Sequence, residues 1–181
     1  MDIQTFETTL AEMQIILTAQ DLIEVHKKYM ELAIKKALIT NEDIKTLTER
    51  YLARVAGAYF LKSLSLKYDS LGKQMASVCV ITPYDEVQIS EAVGDGPLQA
   101  IFLALDMMFE QELELVGLDV QALSAGLDAR AEAHIVVRNP KSRNRINTYA
   151  MDFDAIKACA LAYLQAHDTI SSENDILDGG N

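Results

Sequence analysis

The chain has 181 residues, half of them apolar, so it can form a buried core without disulfide bonds. Its 27 Asp and Glu residues outnumber 16 Lys and Arg, and the net charge of −11 repels phosphate backbones and anionic lipid. Composition therefore argues against nucleic acid and membrane surfaces as partners.

Residues 1–57 are predicted to form an N-terminal helical subdomain. Apolar residues recur at helical spacing in three stretches: 6–17, 22–37 and 44–55. Thr40 or Asn41 is expected to cap the third helix, whose first turn carries acidic residues that favour its positive end.

Residues 58–167 are predicted to contain the same β-β-β-α unit twice. The strands of the first copy are expected at 59–66, 75–81 and 87–93, with a helix after Pro97. Those of the second are expected at 115–123, 131–137 and 145–151, with a helix from about Asp154. The two copies are offset by about 57 residues, which indicates duplication.

The predicted fold class is α+β: two β-β-β-α repeats packed as a sheet-and-helix sandwich, preceded by the helical subdomain. The polar, acidic segment 168–181 is expected to be a loose tail.

No catalytic constellation is visible in the sequence. The three histidines lie far apart, and the chain has no HExxH, GxSxG, GxGxxG or P-loop motif. We therefore expect no catalytic residue, no bound metal and no cofactor.

The most informative motif is 94–98, Gly-Asp-Gly-Pro-Leu. It is either a plain strand-to-helix turn or a small-anion site. In the second interpretation, free N–H groups at the helix start bind a carboxylate, Asp95 binds an ammonium group, and Leu98 supplies an apolar wall. The corresponding stretch 151–154 lacks both glycines and the proline, and this asymmetry favours a function at the first copy.

A second notable loop is 124–129, which contains Gly126 and Asp128. It is either a hairpin connection or one lip of the same pocket.

Cysteine usage and the start of the chain predict a reducing, cytoplasmic location. Cys79 and Cys159 show no CxxC spacing and are expected to be small buried residues. The first ten residues lack the basic and apolar regions of a signal peptide, and no segment approaches a membrane-spanning length.

Several of these stretches resemble the C-terminal allosteric domain of 2-isopropylmalate synthases and the related citramalate synthases. The likeness rests mainly on 94–100 and 120–133, is supported by 59–66 and 152–166, and covers roughly 21–167. Within the helical part, 40–44 looks like the subdomain that links the family's catalytic barrel to its regulatory domain.

The resemblance implies a homodimer that binds an end-product amino acid, leucine or isoleucine, near the dimer interface and inhibits a distant acyl-CoA-dependent barrel. The effector-binding residues that the resemblance implies are Gly94, Gly96, Leu98, Gln99, Leu115, Leu118, Ala122 and Ala129, and the chemistry of the turn adds Asp95 to this predicted site. The barrel has no counterpart in this sequence, since it would need on the order of 250 residues.

Three functions are therefore open. The first is a non-catalytic effector-binding and dimerisation module, which could act in trans on a barrel catalytic subunit. The second is a ligand-free dimerisation scaffold for a partner synthase subunit. The third is an independent small enzyme, for which the sequence offers no site.

Overall fold

The computed structural model describes residues 1–69, 72–123 and 129–178. The chain divides into two compact units, Met1–Gly57 and Ala58–Asn181. The helices of the first unit are α1 (Ile3–Glu12), α2 (Ala19–Lys35) and α3 (Asn41–Val55). The elements of the second are β1 (Phe60–Tyr68), β2 (Gln74–Ile81), β3 (Val87–Gly94), α4 (Pro97–Met108), β4 (Glu114–Ala122), β5 (Ala131–Arg138), β6 (Arg145–Asp152) and α5 (Ala155–Asp178).

Side chains at helix ends define the helices of the first unit. The hydroxyl of Thr18 accepts a hydrogen bond from the N–H of Asp21 and so caps α2. Thr40 and Asp43 form a reciprocal capping box at the start of α3, and Gly57, with φ of +70°, follows the end of that helix. The helices share a small apolar core: Phe6, Leu10, Val25, Tyr29, Ile44 and Tyr51.

The capping box makes the stability of the first unit sensitive to acid. The ammonium group of Lys36, 2.7 Å from the Asp43 carboxylate, and the N–H and hydroxyl of Thr40 lower the pKa of Asp43 to about 2. Because the folded pKa is depressed, this stabilisation is complete above about pH 4 and is lost as pH falls towards 2.

We therefore expect Asp43→Asn to destabilise the first unit at pH 6, and the difference from wild type to shrink between pH 4 and pH 2. Denaturant unfolding followed by circular dichroism measures this difference. Lys36→Met should raise the pKa of Asp43 in an NMR titration. A stability difference that stays constant across this pH range would contradict the prediction.

The second unit contains two three-stranded antiparallel sheets, in the orders β1-β2-β3 and β4-β5-β6. Each first strand has a register shift near its start, between Leu61 and Ser63 in β1 and between Leu115 and Gly117 in β4. The same irregularity at the same place in both copies supports the inferred duplication.

The helices lie against these sheets and against each other. α4 packs on β2 and β3, α5 packs on β5 and β6, and the two helices contact one another. One continuous core joins both repeats, with Val78, Val80, Ile101 and Leu105 from the first and Ile135, Val137, Tyr163 and Ile170 from the second. The predicted α+β class with two β-β-β-α repeats and preceding helices is confirmed.

The predicted loose tail at 168–181 needs correction. α5 continues to Asp178, well beyond the predicted end. Ile170 is only 1% exposed, so it extends the buried face of the helix, and no Gly or Pro interrupts the chain before Gly179.

Candidate functional site

The glycine-containing turn lies where β3 ends and α4 begins. Gly94 is the last residue of β3 and pairs with Gln74. Gly96 is the N-cap of α4, has extended backbone (φ −156°, ψ 169°) and offers no side-chain cap. Pro97 follows at the first helical position, where its missing N–H costs nothing.

The two glycines of the turn meet different surroundings. A Cβ atom on Gly94 would lie 2.5 Å from the backbone nitrogen of Ala100, so the close approach of β3 to α4 requires glycine there. A Cβ atom on Gly96 would meet nothing within 4 Å, and its backbone conformation suits any residue. The fold therefore explains Gly94 and leaves Gly96 unexplained.

Polar groups of the turn are exposed and partly satisfied by the protein itself. The N–H of Asp95 donates to Oε1 of Gln99 at 2.6 Å, and both residues are exposed. The N–H of Ala100 donates to the carbonyl of Gly96 and begins the helical ladder. Because the N-cap has no side chain, it provides no side-chain acceptor for the N–H groups of the first turn.

Three further predicted residues lie on one face of β4. Leu115, Leu118 and Ala122 pair with Val137, Ile135 and Ala131 of β5. Val137 and Ile135 are fully buried, whereas Leu115 is 44% and Leu118 is 37% exposed.

Leu115 and Leu118 are exposed because α5 packs on β5 and β6 and does not cover β4. The main neighbour of β4 is β5. Val120 lies on the same face and is 41% exposed. We call this row of Leu115, Leu118, Val120 and Ala122 the β4 strip. It is an apolar surface on the same face of the sheet as the buried residues of β5, next to the part that α5 covers.

The predicted site residues thus form two groups on different elements. One group is the turn at the start of α4, and the other is the β4 strip. No hydrogen bond among residues 1–69, 72–123 and 129–178 joins the groups. Ala129 is partly buried and lies before β5, while the rest of the predicted loop, 124–128, lies outside the described residues. Leu98 is partly buried against the core.

A buried polar cluster at the α4–α5 contact was missed by the sequence analysis. Oδ1 of Asp106 accepts hydrogen bonds from the hydroxyl of Tyr163 at 2.9 Å and pairs with Nε2 of His167 at 2.8 Å. The ring of Phe109 stacks on His167, with centroids 4.6 Å apart. These four residues are the α4–α5 cluster.

One signal in the sequence could have revealed this cluster. Asp106 is the one charged residue of α4, and it precedes Tyr163 by 57 residues, the offset of the two repeats. The two residues therefore occupy equivalent places in the two copies. Burial, and then the negative charge of Asp106, raise the pKa of Tyr163 well above its usual range, so its hydroxyl stays protonated.

Three further properties of the described residues concern metal binding, the cysteine thiols and membrane-spanning helices. In that part of the chain, no three His, Cys, Asp or Glu side chains are grouped so that they could hold a metal ion. Cys79 and Cys159 are free and buried, as predicted, and burial raises the pKa of the Cys159 thiol. Among the helices described, none has the length and apolar character needed to span a membrane.

Known proteins match most of this chain. Residues 38–171 match the family model of the LeuA allosteric (dimerisation) domain. The 2-isopropylmalate synthase of Listeria welshimeri is 31% identical over 173 residues, which is 96% of this chain and 34% of that protein. The 2-isopropylmalate synthase of Listeria monocytogenes serotype 4b is 34% identical over 161 residues, or 89% of this chain and 31% of that protein.

A third relative, the 2-isopropylmalate synthase of Lactococcus lactis, is 28% identical over 169 residues, covering 93% of this chain and 32% of its own length. The chain thus spans about a third of the length of the curated relatives that it matches. From the family match over most of its length, the chain belongs to the LeuA allosteric (dimerisation) domain family.

Proposed function

We propose that this chain is a non-catalytic regulatory module that binds a branched-chain amino acid near a dimer interface and controls an acyl-CoA-dependent synthase. The observation that carries the proposal is Gly96, a glycine that the fold does not require, at the uncapped start of α4. A glycine in that place lets a ligand carboxylate approach the helix N–H groups closely.

The remaining parts of an α-amino acid have complementary groups on the same molecule. The exposed carboxylate of Asp95 suits the ammonium group, and Leu98 and the β4 strip suit an aliphatic side chain. The family's description as a dimerisation domain supports a homodimer. An interface beside the β4 strip would cover its exposed apolar surface and close the ligand off from water.

The first test is isothermal titration calorimetry of the chain with L-leucine and L-isoleucine, with D-leucine as the stereochemical control. We expect binding of one L-isomer. At 100 times its Kd, that ligand should add about 2.7 kcal/mol to the free energy of unfolding. No heat with any branched-chain amino acid would overturn the effector-binding proposal.

One observation favours a ligand-free dimerisation scaffold as the second candidate. Gln99 already occupies the N–H of Asp95, so the protein's own side chain satisfies part of the turn. A stable dimer by light scattering, together with silent calorimetry, would support this alternative.

The second part of the proposal is that this chain controls a synthase. The reaction of that synthase is inferred from the relatives, which are named 2-isopropylmalate synthase. The helical residues 1–57 would link this module to a catalytic barrel, or dock on one in trans, in the cytoplasm. An assay of acetyl-CoA consumption by a barrel subunit, with and without this chain and the amino acid, tests this part. An unchanged rate in every combination would count against it.

A further inference from the structure

Phe109, the C-cap residue of α4, contacts two aromatic rings. It stacks on His167 of α5 with an interplanar angle of 10°, and its centroid lies 4.8 Å from that of Tyr59 in an edge-on contact. Tyr59 directly precedes β1. The end of α4 is therefore in contact with the residue that precedes the first strand of the second unit.

Tyr59 is held at a second point through its backbone. Burial raises the pKa of the carboxyl of Asp168, the neighbour of His167, and the nearby backbone N–H of Tyr59 opposes this effect. Asp106, one turn before Phe109, pairs with Nε2 of His167 at 2.8 Å. Ring and backbone of Tyr59 thus both depend on how α4 and α5 pack together.

α4 connects this contact to the candidate effector site. The helix has 12 residues, begins at the Gly96 N-cap, and has no Pro or Gly after Pro97. Ala100, Ile101, Ala104 and Leu105 are fully buried, so the helix is packed into the core as one rigid element. A displacement at its first turn is therefore carried to Asp106 and Phe109, a helix length of about 18 Å.

We propose that occupancy of the α4 N-terminus is transmitted along α4 to Tyr59 through Phe109 and His167. This inference rests on the proposed function, because it takes the α4 N-terminus as the effector site. Tyr59 follows Gly57, the last residue of the first unit, by two positions. The signal therefore reaches the segment through which the second unit is connected to the helical one.

The test is amide hydrogen exchange of the 181-residue chain with and without L-leucine. Exchange at the Tyr59 amide should slow, by up to about 100-fold at 100 times the Kd, because binding stabilises the packed state. In Phe109→Leu the slowing should persist at the amides after Gly96 and be lost at Tyr59. Phe153→Leu is the matched control, because that ring is 59% exposed and lies over Arg130.

Tyr59→Leu, which keeps the backbone N–H and removes the ring contact, provides a second variant if Phe109→Leu folds poorly. Leucine binding with unchanged exchange at Tyr59 in wild type would overturn this inference alone. So would slowing at Tyr59 that is equal in wild type and both variants. Absence of leucine binding to wild type would overturn the proposed function, and this inference with it.

Discussion

Replacing Gly94 with alanine should lower the free energy of unfolding by about 3 kcal/mol, because the new Cβ would meet the backbone nitrogen of Ala100 at 2.5 Å. That nitrogen belongs to the first turn of α4 and cannot rotate away as a flexible side chain would. The strand, the helix or both must shift. Denaturant unfolding of the wild type and the variant measures the loss.

Gly96→Ser is the matched variant, and its expected effects on stability and binding have opposite signs. No atom lies within 4 Å of the new Cβ, and a serine at the N-cap accepts hydrogen bonds from first-turn N–H groups, so stability should stay the same or rise by a few tenths of a kcal/mol. The same hydroxyl would occupy the N–H groups proposed for the ligand carboxylate. Leucine affinity should therefore fall about tenfold or more.

This pair of variants separates a turn required by the fold from a turn that binds a ligand. A stable Gly94→Ala protein would show that the close approach of β3 to α4 relaxes easily. A Gly96→Ser protein that binds leucine as tightly as wild type would remove the α4 N-terminus from the candidate site. Calorimetry and unfolding on the same samples give both results.

Asp106→Ala should destabilise the second unit by about 3–5 kcal/mol, since it removes the acceptor shared by Tyr163 and His167. Both donors are only 1% exposed, so water cannot easily replace the lost carboxylate. The variant should also loosen the contact between α4 and α5, which this carboxylate bridges.

Asp106→Asn retains an acceptor oxygen of the same size and should cost less, about 1–2 kcal/mol. Asp119→Ala is the surface control: that carboxylate is exposed on β4, and its removal should change stability by no more than about 0.5 kcal/mol. Equal losses for Asp106→Ala and Asp119→Ala would show that the cluster contributes little to stability.

Periodicity within short stretches was enough to predict the strands and helices of the second unit. The alternation in 87–93 corresponds to β3 within one residue at each end, and the helix expected after Pro97 is α4, which starts at that proline. Local signals were weaker where burial depends on neighbouring elements. Val55, expected on the buried face of α3, is 60% exposed, and α5 extends past its predicted end because Ile170 packs into the core.

The candidate site also has features that the sequence predicted and features that only the tertiary structure revealed. The sequence identified the turn from its residue types, but glycine in a sequence does not reveal whether a neighbour or a ligand excludes its side chain. The distance from Gly94 to Ala100 shows that the fold requires the first glycine. The β4 strip was identified by resemblance, and its exposure became evident only from the position of α5 over β5 and β6.

The sequence by itself determined the two β-β-β-α repeats, the start of α3 at Thr40 or Asn41, and the place of the glycine turn, because each depends on residues a few positions apart. The tertiary structure alone decided the partners of Asp106, which lie 57 and 61 residues away, and the different roles of Gly94 and Gly96. Such contacts depend on how helices and sheets pack, and spacing along the chain does not specify that packing.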